Sequence, residues 1–176
     1  MKRLLPFLLL LAGCTATPVA TAPPSTTTTT TAATTVTTTS PRIDTPRKLP
    51  GDPCQLLTPA DFDSPLYGEP APHPNIPRSC LFRQGSGDES DLMVVVVFAD
   101  AYAKPEKAPE MLIGDGHSAA VSFATAPGVI ECTYLVAVNA TESFKVIAHL
   151  QNANSDQVSS ISLGKAQRAF KRLVTS

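Results

Sequence analysis

Three segments with different hydrophobic patterns divide the chain. An apolar run ends at Gly13, and a stretch of Thr, Pro, Ala and Ser with few large apolar side chains continues to Pro50. From Gly51 onward, apolar residues recur at the spacings of strands and helices. Because only this last segment can bury a core, we predict one folded domain over residues 51–176, preceded by two segments of other function.

The domain opens with two helix-start patterns in "GDPCQLLTPADFD". Asp52 is placed to cap a turn that begins at Pro53. Thr58 precedes Pro59, and Asp61 stands three positions after Thr58, as in a capping box. These signals predict two short helical turns. The following "LYGEPAPHPNIP" has too many prolines for a regular element, so we expect a loop there.

Short apolar runs and alternating patterns then predict a sheet of about five strands. Those segments are "SCLFRQ", "DLMVVVVFA", "HSAAVSFA", "IECTYLVAVN" and "SFKVIAHL". The continuous run "DLMVVVVFA" is typical of an interior strand covered on both faces. In the last strand, Phe144, Val146 and Ala148 share one face, and Lys145 and Ile147 the other. "KPEKAPEML" is compatible with a short helix or with a loop.

The end of the chain has helical periodicity. Apolar residues recur at three- and four-residue steps: Ala166, Ala169, Phe170, Leu173 and Val174. Basic residues stand between them: Lys165, Arg168, Lys171 and Arg172. We interpret "SLGK" at 162–165 as the start of this helix. The predicted fold class is therefore α+β, an antiparallel sheet with a C-terminal amphipathic helix and short N-terminal helical turns packed on it.

The first segment, residues 1–13, is typical of an export signal. Lys2 and Arg3 precede the apolar run, which is too short to span the roughly 30 Å of a bilayer's hydrocarbon core. The run stops at "LLAGC", which resembles the lipobox of bacterial lipoproteins and makes Cys14 the predicted lipid attachment residue. The alternative is an ordinary signal peptide that contains a cysteine. With acyl chains on Cys14, the partner is the membrane, and the predicted location is the outer face of the cytoplasmic membrane.

Residues 14–50 are predicted to form a disordered stalk behind the lipidated cysteine. Their apolar area is too small to offset about 1–2 kcal/mol of backbone entropy per residue. Ser/Thr tracts with Pro are also the composition of O-glycosylated stalks, so glycosylation is a hypothesis for this segment.

Charge and motif content exclude several classes of function. The net charge of -1 gives no basic excess for nucleic acid. The three histidines have no metal-ligand spacing with another His or Cys, so no metal or cofactor is predicted. Ser118 in "GHSAA" resembles a nucleophile elbow, but a predicted strand follows it instead of a helix, which favours a turn. We expect no catalytic residue and no enzyme activity.

Three cysteines remain in the predicted domain, Cys54, Cys80 and Cys132. An oxidising compartment favours one disulfide and leaves one thiol. Loop entropy does not choose the pair. Because Cys80 and Cys132 each begin a predicted strand, a Cys80–Cys132 disulfide with a free Cys54 thiol is the favoured arrangement. Cys54–Cys80 and the absence of an intrachain disulfide stay open.

The order of several motifs resembles a family of actinobacterial lipoproteins known as domain of unknown function 3558. These motifs are the lipobox, the low-complexity stalk, "DPCQLLTP", "SCLF", "GDGHSAAV", "ECTYLVAV" and the terminal helix. Within the domain, the resemblance covers roughly residues 51–174. The family often has a further cysteine at the start of the last helix, where this chain has "ISLGK". That difference agrees with one unpaired thiol. The family's function is itself unknown, so the resemblance supports only the location and the fold.

Together these observations predict a lipid-anchored envelope lipoprotein whose domain binds an envelope partner or an extracellular ligand. Two alternatives remain open. One is a hydrolase or redox accessory with an unrecognised site. The other is a sensory or inhibitory module for a membrane enzyme, which should carry an exposed apolar patch.

Overall fold

The computed structural model describes residues 40–85 and 92–175, so the signal segment, Cys14 and most of the predicted stalk lie outside the described residues. The strands are β1 (Arg47–Lys48), β2 (Ser79–Gln84), β3 (Leu92–Ala99), β4 (Glu110–Ile113), β5 (His117–Ala126), β6 (Val129–Ala137), β7 (Ser143–Gln151) and β8 (Val174–Thr175). The helix α1 spans Ser155–Lys171, and two 3-10 helices span Pro53–Gln55 and Pro59–Asp61.

The main sheet has six antiparallel strands in the order β2-β3-β7-β6-β5-β4. The valine-rich strand β3 lies inside the sheet, between β2 and β7, as predicted. Val94 and Val96 are fully buried on the face toward α1, and Val95 on the opposite face is only 2 % exposed. The alternation in β7 is also confirmed, because Phe144, Val146 and Ala148 are all buried.

The sixth strand is β4, which the sequence analysis did not identify. It comes from the end of "KPEKAPEML", the segment for which a short helix or a loop was expected. The strand has four residues and, among the described strands, pairs only with β5, with Ile113 opposite His117. A sequence pattern this short has no readable period, so its pairing with β5 decides its conformation.

Both predicted helical turns are present at the start of the domain. The Asp52 side chain accepts a hydrogen bond from the backbone N–H of Cys54 at 2.9 Å, and Pro53 is the first residue of this turn. In the second turn, the Asp61 carboxylate accepts the backbone N–H of Thr58 at 2.7 Å, which completes the capping box. Local sequence alone accounts for these two turns.

Helix α1 begins earlier than predicted, at Ser155 instead of within "SLGK". Asn154 caps it, and the Asn154 and Gln157 side chains each accept the other residue's backbone N–H, at 2.9 and 3.0 Å. The Ser162 hydroxyl is buried against the sheet and lies 3.1 Å from the carbonyl oxygen of Cys132. Val174, expected in the helix, belongs to β8 and pairs with Lys48 in β1.

The pairing of β1 with β8 shows that the folded part includes residues 40–50, which the sequence analysis assigned to the stalk. The backbone N–H of Ser118 donates to the carbonyl of Arg42 at 2.8 Å. The buried His117 ring also bridges this segment to the sheet, with Nδ1 2.9 Å from the Ala137 carbonyl oxygen and Nε2 2.9 Å from the Thr45 carbonyl oxygen. Residues 40–50 contain few large apolar side chains, so the sequence analysis did not predict these backbone interactions.

The cysteine pairing differs from the favoured prediction. Cys54 and Cys80 form the disulfide, with Cα atoms 5.0 Å apart, and Cys132 is the free thiol. Cys80 lies on β2 and Cys132 on β6, and β3 and β7 lie between those strands. Three strand spacings amount to roughly 14 Å, whereas a disulfide needs Cα atoms within about 7 Å. The strand order therefore excludes Cys80–Cys132 and makes the predicted free Cys54 thiol wrong.

Candidate functional site

A groove opens between α1 and the end of the sheet where β2 and β7 finish and β3 begins. Its volume is about 610 Å³, within the range of small-molecule sites, about 300–1,000 Å³. Its apolar walls are Pro65, Leu66, Tyr67, Leu92, Leu150 and Ile161. Its polar lining is Asp63, Ser64, Gln84, Gly85 and Lys165. The groove is larger than the cavity of about 310 Å³ beside β5, which Pro109 and Phe123 line.

The outer wall of the groove is the loop after the second 3-10 helix. This loop runs beside the outer edge of β2, where the backbone N–H of Tyr67 donates to the carbonyl of Arg83 at 2.8 Å. Leu66 forms an isolated bridge with Gln84, so the loop continues the sheet for one residue. Leu66 is only half-buried because its side chain faces the groove instead of the closed core. The opposite wall comes from Ile161 and Lys165, which are one helical turn apart on α1.

Lys165 is the charged residue at the base of the groove, and only 5 % of its surface is exposed. Its Nζ donates to the backbone carbonyl of Asp61 and lies 4.4 Å from the centre of the Phe62 ring. Burial lowers the pKa of Lys165 below its ordinary value. Among the ion pairs of residues 40–85 and 92–175, none includes Lys165. The ammonium is thus desolvated and has no carboxylate within ion-pair distance among the described residues; the charges of Asp63 and Asp61 oppose the lowering of its pKa only in part.

A hydrogen-bond network around Asp61 holds the wall of the groove to the helix. The Arg172 guanidinium lies 2.7 Å from the Asp61 carboxylate, and Arg168 donates to the Asp61 carbonyl that also accepts Lys165. Burial alone would raise the pKa of Asp61, but the Thr58 N–H and the Arg172 guanidinium outweigh it, so the pKa lies below its usual range. Asp61 therefore remains a carboxylate near neutral pH and fixes the turn against α1.

The cysteines named by the sequence analysis do not line this groove, and Cys14 lies outside the described residues. Cys54 and Cys80 are bonded to each other in the disulfide and carry no free thiol. Cys132 is fully buried, and burial raises the pKa of its thiol. A thiol in this position is an inert part of the core.

Sequence analysis missed Lys165 as a site residue, because it placed this lysine among the basic residues of the helix. The available signal was its position four residues after Ile161, on the same helical face as buried Val158 and Ser162. A lysine on the apolar face of a helix needs a specific environment. That environment exists because the turn with Asp61 and Phe62 packs against Lys165 on α1.

The described residues show no catalytic arrangement at the positions considered from sequence. Ser118 is the second residue of β5 and follows a turn, as expected. Its hydroxyl accepts a hydrogen bond from the backbone N–H of Arg42 at 2.9 Å. In residues 40–85 and 92–175, no three His, Cys, Asp or Glu side chains are grouped to hold a metal ion. None of the helices there is long and apolar enough to cross a bilayer.

The fold and the groove define a small α+β domain with one amphipathic cleft between its helix and the end of its sheet. The chain belongs to the DUF3558 family, described as protein of unknown function, whose profile matches residues 9–160. Searches of the curated proteins and of the solved structures found no match. Family membership therefore agrees with the resemblance in the sequence and adds no activity.

Proposed function

We propose that this protein is a lipid-anchored envelope lipoprotein whose domain binds a small ligand in the groove and performs no catalysis. The observation that carries the proposal is the groove itself, a cleft of about 610 Å³ with apolar walls and a buried ammonium at its base. Such a combination of apolar surface with one convergent polar group is typical of ligand sites. No nucleophile paired with a base lines the cleft among the described residues.

The anchoring part of the proposal is supported by "LLAGC" after an apolar run of export-signal length. Acyl chains on Cys14 would hold the chain at the outer face of the cytoplasmic membrane, and the Thr-rich stalk would separate the domain from the lipid surface. Replacing Cys14→Ser tests this part. We expect loss of radiolabelled fatty acid from the protein and its release into the medium. An unlabelled wild-type chain, together with a variant that stays in the envelope, would contradict it.

The binding part is tested by native mass spectrometry of the chain purified from its own envelope without denaturation. We expect a small-molecule adduct on the wild type and its loss from Ile161→Trp, because an indole at this wall would fill the groove. Val174→Trp is a matched control, since Val174 is exposed and does not line the groove. An adduct that persists in Ile161→Trp would place binding elsewhere.

A second candidate function, a module that docks on an envelope protein, is favoured by one edge of the sheet. Strand β4 pairs only with β5 in the described structure, and Leu112 on it is 50 % exposed. Met111 and Phe123 are also exposed near this edge. Edge strands with apolar side chains are available for strand addition by another protein. Crosslinked partners that are recovered with the wild type and lost with Leu112→Lys would support this function; recovery unchanged by Leu112→Lys would exclude this edge.

A further inference from the structure

The charge inside the groove indicates what kind of ligand the groove accepts. An ammonium has three N–H donors, and the only hydrogen bond of the Lys165 Nζ in the described structure goes to the backbone carbonyl of Asp61. The Phe62 ring covers another side of the Nζ, at 4.4 Å from the ring centre. A donor therefore remains for a group inside the groove. Because Lys165 is desolvated, an anion there would receive a stronger interaction than on the surface.

Other charges near the groove are arranged differently. Arg168 and Arg172 are engaged with the carbonyl and the carboxylate of Asp61, respectively. Asp63 lies at the exposed rim, and its charge raises the pKa of Lys165 by less than burial lowers it. An anionic group at the buried base would thus meet Lys165, whereas a cation would be repelled by this ammonium, which has no ion-pair partner among the described residues.

The walls specify the rest of the ligand. Leu66, Leu92, Leu150 and Ile161 present apolar side chains to a space of about 610 Å³. Burial of each methylene contributes roughly 0.8 kcal/mol, so a hydrocarbon body is what such walls bind best. A polar or highly hydrated body would lose its water without receiving hydrogen bonds in return.

We propose that the groove binds a single-chain amphiphile with one anionic head group, which Lys165 binds at the base while the hydrocarbon body lies along Leu66, Leu150 and Ile161. This inference rests on the proposed ligand-binding function and names its ligand class. Carboxylate and phosphate monoester heads share the required chemistry, so the head groups are compared directly.

The experiment measures calorimetric binding of dodecanoate, dodecyl phosphate, dodecanol and dodecyltrimethylammonium to the full chain. The sample is the Cys14→Ser chain released into the medium, so that no detergent competes for the groove. If the wild type is the chain that is released, the wild type is the sample. We expect binding of at least one anion, about tenfold or more tighter than that of dodecanol, and none of the cation. This comparison uses the unaltered groove and needs no variant to fold.

Lys165→Met keeps an unbranched side chain that is one atom shorter and removes its charge. We expect it to weaken anion binding about tenfold or more and to leave dodecanol binding unchanged. Lys171→Met is the matched control, because Lys171 is an exposed lysine of the same helix and does not line the groove. We expect its anion affinity to stay within about twofold of the unaltered chain. Circular dichroism of both variants verifies folding.

The outcomes separate this inference from the function on which it rests. Equal binding of dodecanoate, dodecyl phosphate and dodecanol, or an equal loss with Lys165→Met and Lys171→Met, would overturn the ligand class. If none of the four probes binds while the native adduct is lost with Ile161→Trp, the ligand class is wrong and the proposed function stands. If no probe binds and no adduct exists, both are wrong.

Discussion

The disulfide offers a sharp test of the fold, because its position follows from the strand order. Cys54 stands in the first 3-10 helix and Cys80 in β2, with a sequence separation of 26. Replacing both residues, as Cys54→Ala with Cys80→Ala, removes the crosslink from the folded and the unfolded chain. The unfolded chain then gains the freedom that the closed loop denied it, so the free energy of unfolding falls.

The magnitude follows from the loop length. For a separation of 26 residues, loop-closure entropy gives roughly 3.5 kcal/mol at 25 °C. That is a large fraction of the about 5–15 kcal/mol by which domains are stable. With a urea dependence of about 1–3 kcal/mol/M, the unfolding midpoint should fall by roughly 1–3.5 M.

Urea unfolding followed by circular dichroism, on the released Cys14→Ser chain, measures this change. Cys132→Ala is the matched control, since it removes a buried sulfur that crosslinks nothing. We expect the control to lose only about 1 kcal/mol, the amount expected from a small cavity. Peptide mapping should find Cys54 linked to Cys80, and Cys132 should become alkylated only after denaturation. A Cys80–Cys132 peptide, or a double variant no less stable than the control, would refute the reasoning.

Three further predictions concern the network, the turns and a buried hydroxyl. Asp61→Asn should cost about 1–3 kcal/mol at pH 7; because the folded pKa of Asp61 is lowered, the difference should shrink as pH falls below about 4. Gly114→Ala should cost about 1–3 kcal/mol more than Gly128→Ala, because both glycines have positive φ but only Gly114 faces a ring. Tyr102→Phe should not destabilise, since the buried Tyr102 hydroxyl has no hydrogen-bond partner in the described structure.

Chemical unfolding between pH 3 and 8 measures the first of these changes, and thermal unfolding at pH 7 measures the other two. A difference between the wild type and Asp61→Asn that is the same at pH 3 and pH 7 would contradict the Asp61 argument. Equal costs for the two glycine substitutions would show that the Phe170 ring yields to an added Cβ. Loss of more than about 1 kcal/mol in Tyr102→Phe would mean that its hydroxyl has a partner.

Burial, and then the charge of Glu110, raises the pKa of Tyr102 to about 12, so its absorbance should change only above pH 11.

Local patterns predicted most of the regular elements. The capping residues Thr58 and Asp61 identified a turn because a capping box involves residues only three positions apart. The alternation of Phe144 and Val146 with Lys145 identified a strand and its buried face. These features depend on neighbours in the sequence, and the α+β class follows from their order along the chain. The family membership was likewise expressed in motifs that are continuous in sequence.

The candidate site, in contrast, depends on residues far apart in the chain. Lys165 is buried only because the Asp61–Phe62 turn packs on α1, more than a hundred positions away. The cysteine pairing was mispredicted because the insertion of β3 and β7 between Cys80 and Cys132 is a property of strand order. No local pattern contains that order.

The sequence by itself determined where most strands and turns form and which of their faces are apolar; its export signal and lipid attachment at Cys14 stay predictions. Tertiary structure decided the sixth strand, the inclusion of residues 40–50, the Cys54–Cys80 disulfide and the buried ammonium in the groove. The physical reason is the range of the interactions: backbone conformation and side-chain periodicity are set within a few residues, whereas disulfides, edge pairing and desolvation depend on which distant segments meet.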